Sequence, residues 1–139
     1  VAPGAVSYEN KDGERFLILP SADDGAFVFF TAMNPKRRRQ LINAFSWIAR
    51  KPLPIYADNE RMCVNINRRD RFNVITLFNL SCDEVKSPIL HYKPIGSLKY
   101  LSNDGGLYSL SYTDLNDRLM IEKKMRAFEA LVIVDERMK

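Results

Sequence analysis

Residues 65–110 read NINRRDRFNVITLFNLSCDEVKSPILHYKPIGSLKYLSNDGGLYSL, and this stretch decides the fold class. Val74, Ile75, Leu77, Phe78 and Leu80 form a run of branched and aromatic side chains, a composition that fits a pleated, half-buried surface. It ends at Asn79 to Asp83, where polar, turn-forming residues return. Three short runs follow, Pro88-Ile-Leu-His-Tyr, Ser97-Leu-Lys-Tyr-Leu and Leu107-Tyr-Ser-Leu-Ser-Tyr, with the turn Asn103-Asp-Gly-Gly before the last. Just upstream, Met62, Val64 and Ile66 alternate with Cys63, Asn65 and Asn67, the pattern of a strand with one buried face. Arg68-Arg-Asp-Arg then makes a charged hairpin tip. The whole reads as antiparallel strands and turns, without a reaction centre.

Working outward toward the N-terminus, Leu53-Pro-Ile-Tyr is an extended connector and Asp58-Asn-Glu a turn. Before them the period becomes helical. Asn34 suits an N-cap, and Pro35 suits the first helical position because its fixed φ fits there and its missing N–H would have no partner. Leu41, Ile42, Phe45 and Ile48 form one apolar stripe with Ala44 and Trp47 at its margins, and Pro52 and Pro54 stop the helix near Arg50 or Lys51. Earlier still, Arg15-Phe-Leu-Ile-Leu and Ala26-Phe-Val-Phe-Phe are nearly continuous apolar runs, expected as strands covered on both faces. Gly13 supplies a turn that lets Val6 to Tyr8 pair with Phe16 to Leu19.

Toward the C-terminus, Tyr112 to Asp135 contains helix-forming residues throughout, and residues 113–128 leave helical and extended readings open. Two terminal strands, at Leu119-Met-Ile and Ala130-Leu-Val-Ile-Val-Asp, are favoured, because a late helix would leave the preceding strands without a partner layer. The expected fold is mainly β (α+β): an antiparallel β-sandwich with one amphipathic helix near residues 35–50. Residues 1–139 are read as a single compact domain, with strands plus helix in a sub-region 1–57 and a sandwich-like sub-region 58–139.

Composition narrows the function classes. At 139 residues and 46% apolar, the chain can bury a core without disulfides or metal. A net charge of +4 is too mild to imply nucleic acid unless the positives cluster. Two cysteines, Cys63 and Cys82, and one histidine, His91, fall short of a zinc ligand set, so neither metal nor cofactor is expected. The cysteines could pair across neighbouring strands in an oxidising compartment, but free thiols packed as small apolar side chains are the favoured reading. No apolar run approaches the roughly 18 residues of a membrane-spanning helix. The start at Val1, without a signal-peptide pattern, is read as a removed leader or a piece cut from something longer.

Catalysis is disfavoured. His91 sits in a strand between Leu90 and Tyr92 with no Gly-x-Ser-x-Gly turn to expose a nucleophile. Asp23 with Asp24, and Asp83 with Glu84, could supply paired carboxylates, but adjacent acids in turns are usually solvated. Asn79, Asp83 and Asp104 are read as turn-shaping residues. Lys36-Arg37-Arg38-Arg39 opposes the helix macrodipole; a solvated face is the favoured reading, and compensation by acidic groups of a neighbouring domain or by a bound anion is the alternative. Arg37, Arg38 and Arg39 are therefore candidates for an interaction surface. Joining them with Arg68, Arg69 and Arg71 into a nucleic-acid face is disfavoured, because the aromatics interleave with core positions. Tyr108 and Tyr112, on one face of a strand with Leu110, and Tyr92 and Tyr100 in neighbouring strands are candidates for sugar stacking; cross-strand packing is the competing use.

Three segments carry a family resemblance. They are the helix and its exit, Gln40–Asp58 (QLINAFSWIARKPLPIYAD); the strand Phe72–Asp83 (FNVITLFNLSCD) with its Asn-x-Ser-x-Asp ending; and Ile95–Tyr108 (IGSLKYLSNDGGLY). Together they resemble the C-terminal region of multidomain glycoside hydrolases of the β-galactosidase type, where a glutamine-amidotransferase-like α/β domain is followed by a small β-sandwich. Leu107-Tyr108 stands where that pattern usually has Trp after Asp-Gly. The resemblance implies a non-catalytic accessory module of a secreted or periplasmic bacterial carbohydrate-active protein. Such a module would pack against a neighbouring domain or mediate self-association, with a tyrosine-based carbohydrate-binding module as the alternative. The family's catalytic carboxylates belong to its barrel, so none is carried over to this chain.

Overall fold

The computed structural model describes residues 6–18 and 34–137. Two compact units are present, Val1–Leu53 and Pro54–Lys139. The fold is mainly β with one helix, and every strand pairing among the described residues is antiparallel.

In the first unit, β1 (Val6–Glu9) and β2 (Arg15–Ile18) form the expected hairpin, with Val6 opposite Ile18 and Tyr8 opposite Phe16. Gly13 takes the left-handed φ of 79° that this turn requires, and the Asn10 side chain accepts from the amides of Asp12 and Glu14. Helix α1 (Pro35–Ala49) begins as its sequence dictates: the Asn34 side chain accepts from the amides of Lys36 and Arg37, with Pro35 in the first turn. It ends on Arg50 in the left-handed conformation, whose amide returns to the carbonyls of Ser46 and Trp47.

Charged side chains tie the hairpin to the end of this helix. Arg15 donates to the Trp47 carbonyl and lies 4.9 Å from the Trp47 ring centre, and both Arg15 and Arg50 pair with Glu9. Two basic groups at a helix C-terminus also complement its dipole. The hydrogen bond from Arg15, with that from Arg50 and the charge of both guanidinium groups, holds the Glu9 carboxyl below its usual range against the opposing effect of desolvation. The expectation that β2 is covered on both faces needs correction. Arg15 and Leu17 are half-covered, while Phe16 and Ile18 are exposed, because a two-stranded ribbon has only one face against the helix. The run Ala26–Phe30 lies outside the described residues.

The second unit is sandwich-like. One sheet has the order β3 (Tyr56–Ala57), β6 (Ile89–His91), β10 (Leu119–Ile121), β9 (Tyr112–Asp114). The other has the order β4 (Met62–Arg68), β5 (Phe72–Asn79), β11 (Ala130–Arg137), β7 (Gly96–Leu101), β8 (Leu107–Ser109). Ile75 and Leu77 from β5, Leu131 and Ile133 from β11, and Met62 from β4 meet Leu90, Leu119 and Ile121 of the other sheet in one core. Ile55 and Ala57, read from sequence as part of the first sub-region, are buried in this core, and Tyr56–Ala57 pairs with β6. The C-terminal segment is extended, with β10 and β11 as the two favoured terminal strands.

The Asn-x-Ser-x-Asp ending of β5 is a turn lock. The Asn79 amide donates to the carbonyls of Asp83 and Arg126, while its oxygen accepts from the amide and hydroxyl of Ser81. Both of its donors and both lone pairs are used, as a buried amide requires. At the opposite end of the sheet Gly96 lies against β11, where a Cβ would overlap the Glu136 carbonyl. Gly96→Ala is therefore expected to destabilise the sandwich by about 2–3 kcal/mol through forced backbone separation. Urea denaturation checks this: the midpoint should fall, whereas Gly105→Ala, with open space around its Cβ, should show only the cost of its positive φ.

Candidate anion-binding cleft

The period-two alternation of the larger sheet places polar groups where the core runs out. Register sets Arg68 of β4 opposite Asn73 of β5, Asn73 opposite Asp135 of β11, and Asp135 opposite Leu98 of β7. Arg68 continues the inward series Met62, Val64, Ile66, and Asp135 continues Leu131, Ile133. Asp135 is fully buried at 0% exposure and Tyr92, just after β6, is 6% exposed. The Asp135 carboxylate accepts from the Tyr92 hydroxyl (2.5 Å), the Ile95 amide (2.8 Å) and the Gly96 amide (2.9 Å). The Asn73 amide donates to the Tyr92 oxygen at 2.8 Å. Burial, reinforced by the hydrogen bond to Asp135, pushes the Tyr92 phenol well above the ordinary tyrosine range, so Tyr92 stays protonated and donates.

Above this network lies a cleft of about 380 Å³. Asn73 and Tyr92 face it, Arg68, Arg69, Lys93 and Arg137 line it, and Pro54 and Ile95 flank it. Arg137 lies on the same inward face of β11 as Asp135, one alternation further on. It therefore projects past the end of the core rather than from the outer surface. Lys93 and Ile95 sit in the turn before β7, which Asp135 holds through the Ile95 and Gly96 amides.

The residues singled out from sequence are distributed differently. Tyr92 is in the core and its ring cannot stack on a sugar. Tyr100 and Tyr108 are cross-strand partners in β7 and β8, with ring centres 5.9 Å apart and planes tilted by 34°. Lys123 sits 4.1 Å above the Tyr100 ring, and the Tyr108 hydroxyl donates to Asp104 at 2.7 Å. That bond is the largest cause lowering the Asp104 carboxyl and raising the Tyr108 phenol. Tyr112 lies in the other sheet. The reading of Tyr108, Leu110 and Tyr112 as one strand face is thus corrected: the chain leaves the larger sheet at Leu110, which is buried between the layers, and enters the smaller one at Tyr112. No single tyrosine row results.

Arg37, Arg38 and Arg39 lie in the first turns of α1, with Arg37 donating to Gln40. His91 is stacked on Tyr56, with ring centres 4.0 Å apart, and bonds Asp58, which Arg118 also approaches at 3.7 Å. No serine or cysteine side chain bonds His91 among the described residues. Asp83 pairs with Arg61 and Glu84 with Lys124, as solvated surface acids do; Asp23 and Asp24 lie outside the described residues. Cys63 and Cys82 are free thiols, and both are exposed rather than packed as apolar side chains. Among the described residues, no group of three or more His, Cys, Asp or Glu is placed to hold a metal. No helix there is long and apolar enough to cross a membrane.

Sequence reasoning missed Asn73, Lys93, Asp135 and Arg137. The signal was present in the alternation itself: Leu131, Ile133 and Asp135 share a face, so a carboxylate had to point inward. No family model matches the chain, and no curated protein or solved structure matches it.

Tyr92→Phe keeps the ring but leaves Asn73 and Asp135 each short of a partner. It should cost about 2 kcal/mol in urea denaturation. Because the folded-state pKa of Tyr92 is raised above 10.0, its contribution is fully present below that value and is lost as pH rises past it. Phenolate absorbance should accordingly show Tyr92 titrating only as the fold opens in alkali, and a Tyr92 phenol that ionises in the ordinary tyrosine range with the fold intact is the opposite result.

Proposed function

We propose that the chain is a non-catalytic accessory module of a larger carbohydrate-active protein, in which the helix-and-hairpin unit packs against a neighbouring domain of the same protein. The observation that carries this reading is that no described residue of the first unit is buried. One hairpin face presents Val6, Tyr8, Phe16 (49% exposed) and Ile18 (61% exposed), and α1 exposes Phe45 and Ile48. A two-stranded ribbon is marginal by itself in water, and each such side chain gains roughly 1.5–3 kcal/mol when fully covered.

Charge favours another domain over a second copy as the occupant. The first turn of α1 contains Lys36, Arg37 and Arg38 and no acidic residue, so an acidic rim on the partner surface would relieve it. A second copy carries the same net charge of +4. The resemblance stated above, a sandwich following an α/β domain, points the same way. The tyrosine-platform alternative is less favoured, since Tyr92 is buried and Lys123 covers Tyr100.

Hydrogen exchange and analytical ultracentrifugation of the 139-residue chain test the docking role. The expected result is a monomer in which amides of β1, β2 and α1 exchange at least about a hundredfold faster than those of β5 and β11, as for a low-stability cooperative unit. Equal protection of both units would show that the first has a core of its own and would overturn the docking role. A concentration-dependent dimer protected over Val6–Ile18 would make the occupant a second copy. Turnover of aryl glycosides by the same preparation would sink the non-catalytic assignment.

A further inference from the structure

We propose that the cleft at the end of the sandwich is a binding site for a small phosphate or sulfate ester, held by Arg68, Arg69, Lys93 and Arg137. Arg61, Lys99, Arg118 and Lys124 each have a carboxylate partner, whereas the cleft cations meet none among the described residues. Arg71, Lys86, Lys123 and Arg126 also lack one, but only Arg68, Arg69, Lys93 and Arg137 converge on the cleft. The nearest acid in the network beneath them, Asp135, cannot serve. It is fully buried, and its oxygens are committed to the Tyr92 hydroxyl and the Ile95 and Gly96 amides. Like charges are thereby gathered in one concavity, an arrangement that raises the local concentration of anions.

The floor is built in advance. Asn73, Tyr92 and Asp135 are buried and joined by hydrogen bonds, and the turn carrying Lys93 is pinned by Asp135. Binding therefore has less backbone to order than at a mobile loop tip. The guanidinium groups are planar forks matched to oxyanions, and their convergence favours a tetrahedral, multiply bonded headgroup over a single carboxylate. A cleft of about 380 Å³ flanked by Pro54 and Ile95 also leaves room for the body that bears the ester. The site lies wholly in the second unit, so it stands or falls separately from the docking role of the first.

The test is calorimetric and NMR titration of the full 139-residue chain with glucose 6-phosphate, glucose 6-sulfate, glucose and a short oligothymidylate. Saturable binding of at least one ester, none of glucose, and amide shifts at Asn73, Lys93, Ile95 and Arg137 are expected. Comparison of the two esters tells phosphate from sulfate. The pair Arg68→Gln with Arg137→Gln should weaken binding at least about tenfold, equivalent to 1.4 kcal/mol, with the thermal midpoint unchanged because both side chains are exposed. The pair Lys86→Gln with Arg126→Gln removes the same charge elsewhere on the unit and should leave affinity within about twofold. Equal losses in the two pairs would show an unspecific charge effect and overturn the proposal. So would failure of both esters to saturate, or binding of the oligonucleotide alone.

Discussion

The carboxylate of Asp135 is the constraint around which the sandwich is arranged. An ionised group taken from water into a protein interior carries a penalty of several kcal/mol unless its lone pairs are met. Here they are met from both layers and from the turn between them: Tyr92 follows β6 of the smaller sheet, while the Ile95 and Gly96 amides lead into β7 of the larger. Apolar contact alone would tolerate alternative registers of strands as rich in Val, Ile and Leu as β5 and β11. The carboxylate does not, because a one-residue slip would turn Asp135 to solvent and leave the Tyr92 hydroxyl and the Ile95 and Gly96 amides without their acceptor. The network is a device for register as much as for stability.

Much of this fold was legible in the sequence because its signals are local. Asn34 and Pro35 start a helix through their own backbone chemistry, and Gly13 turns a hairpin through its own φ. The alternation of Met62, Val64 and Ile66 states which face is buried wherever the strand ends up. The misread features depend on where an element lies relative to others. Whether β2 is covered on one face or two is decided by its neighbours. The separation of Tyr108 from Tyr112 depends on the chain changing sheets at Leu110, which a periodicity that continues through the crossing conceals. Part of the cleft was readable by the same alternation: Asp135 and Arg137 follow Ile133 at even spacing. The convergence of Arg68, Lys93 and Arg137 was not, since β4, the turn before β7, and β11 come from distant parts of the chain.

The units also differ in what holds them. The second has a continuous core from Ile55 to Ile133 with polar locks at both ends, Asn79 at one and Asp135 at the other. In the first, the hydrogen bonds between hairpin and helix among the described residues run through two guanidinium groups, Arg15 to the Trp47 carbonyl and Arg50 to Glu9 and the Gly13 carbonyl. Exposed ion pairs contribute little each and are screened by salt. Such links support the first unit less than the apolar core supports the second.

That contrast bears on how ligand specificity could arise in so small a sandwich. Long basic side chains lose conformational freedom when they close on an anion, and the loss is smaller when their backbones are already held. Arg68 and Arg137 leave paired strands, and Lys93 leaves a turn held by a buried carboxylate, so only the side chains themselves need to be ordered. The network that fixes strand register is in this way the support that fixes the cations. A substitution at Asp135 would loosen Lys93 and Ile95 along with the core beneath them, whereas a substitution at Arg68 or Arg137 would remove charge and leave the fold in place. The two kinds of change separate the scaffold from the site it holds.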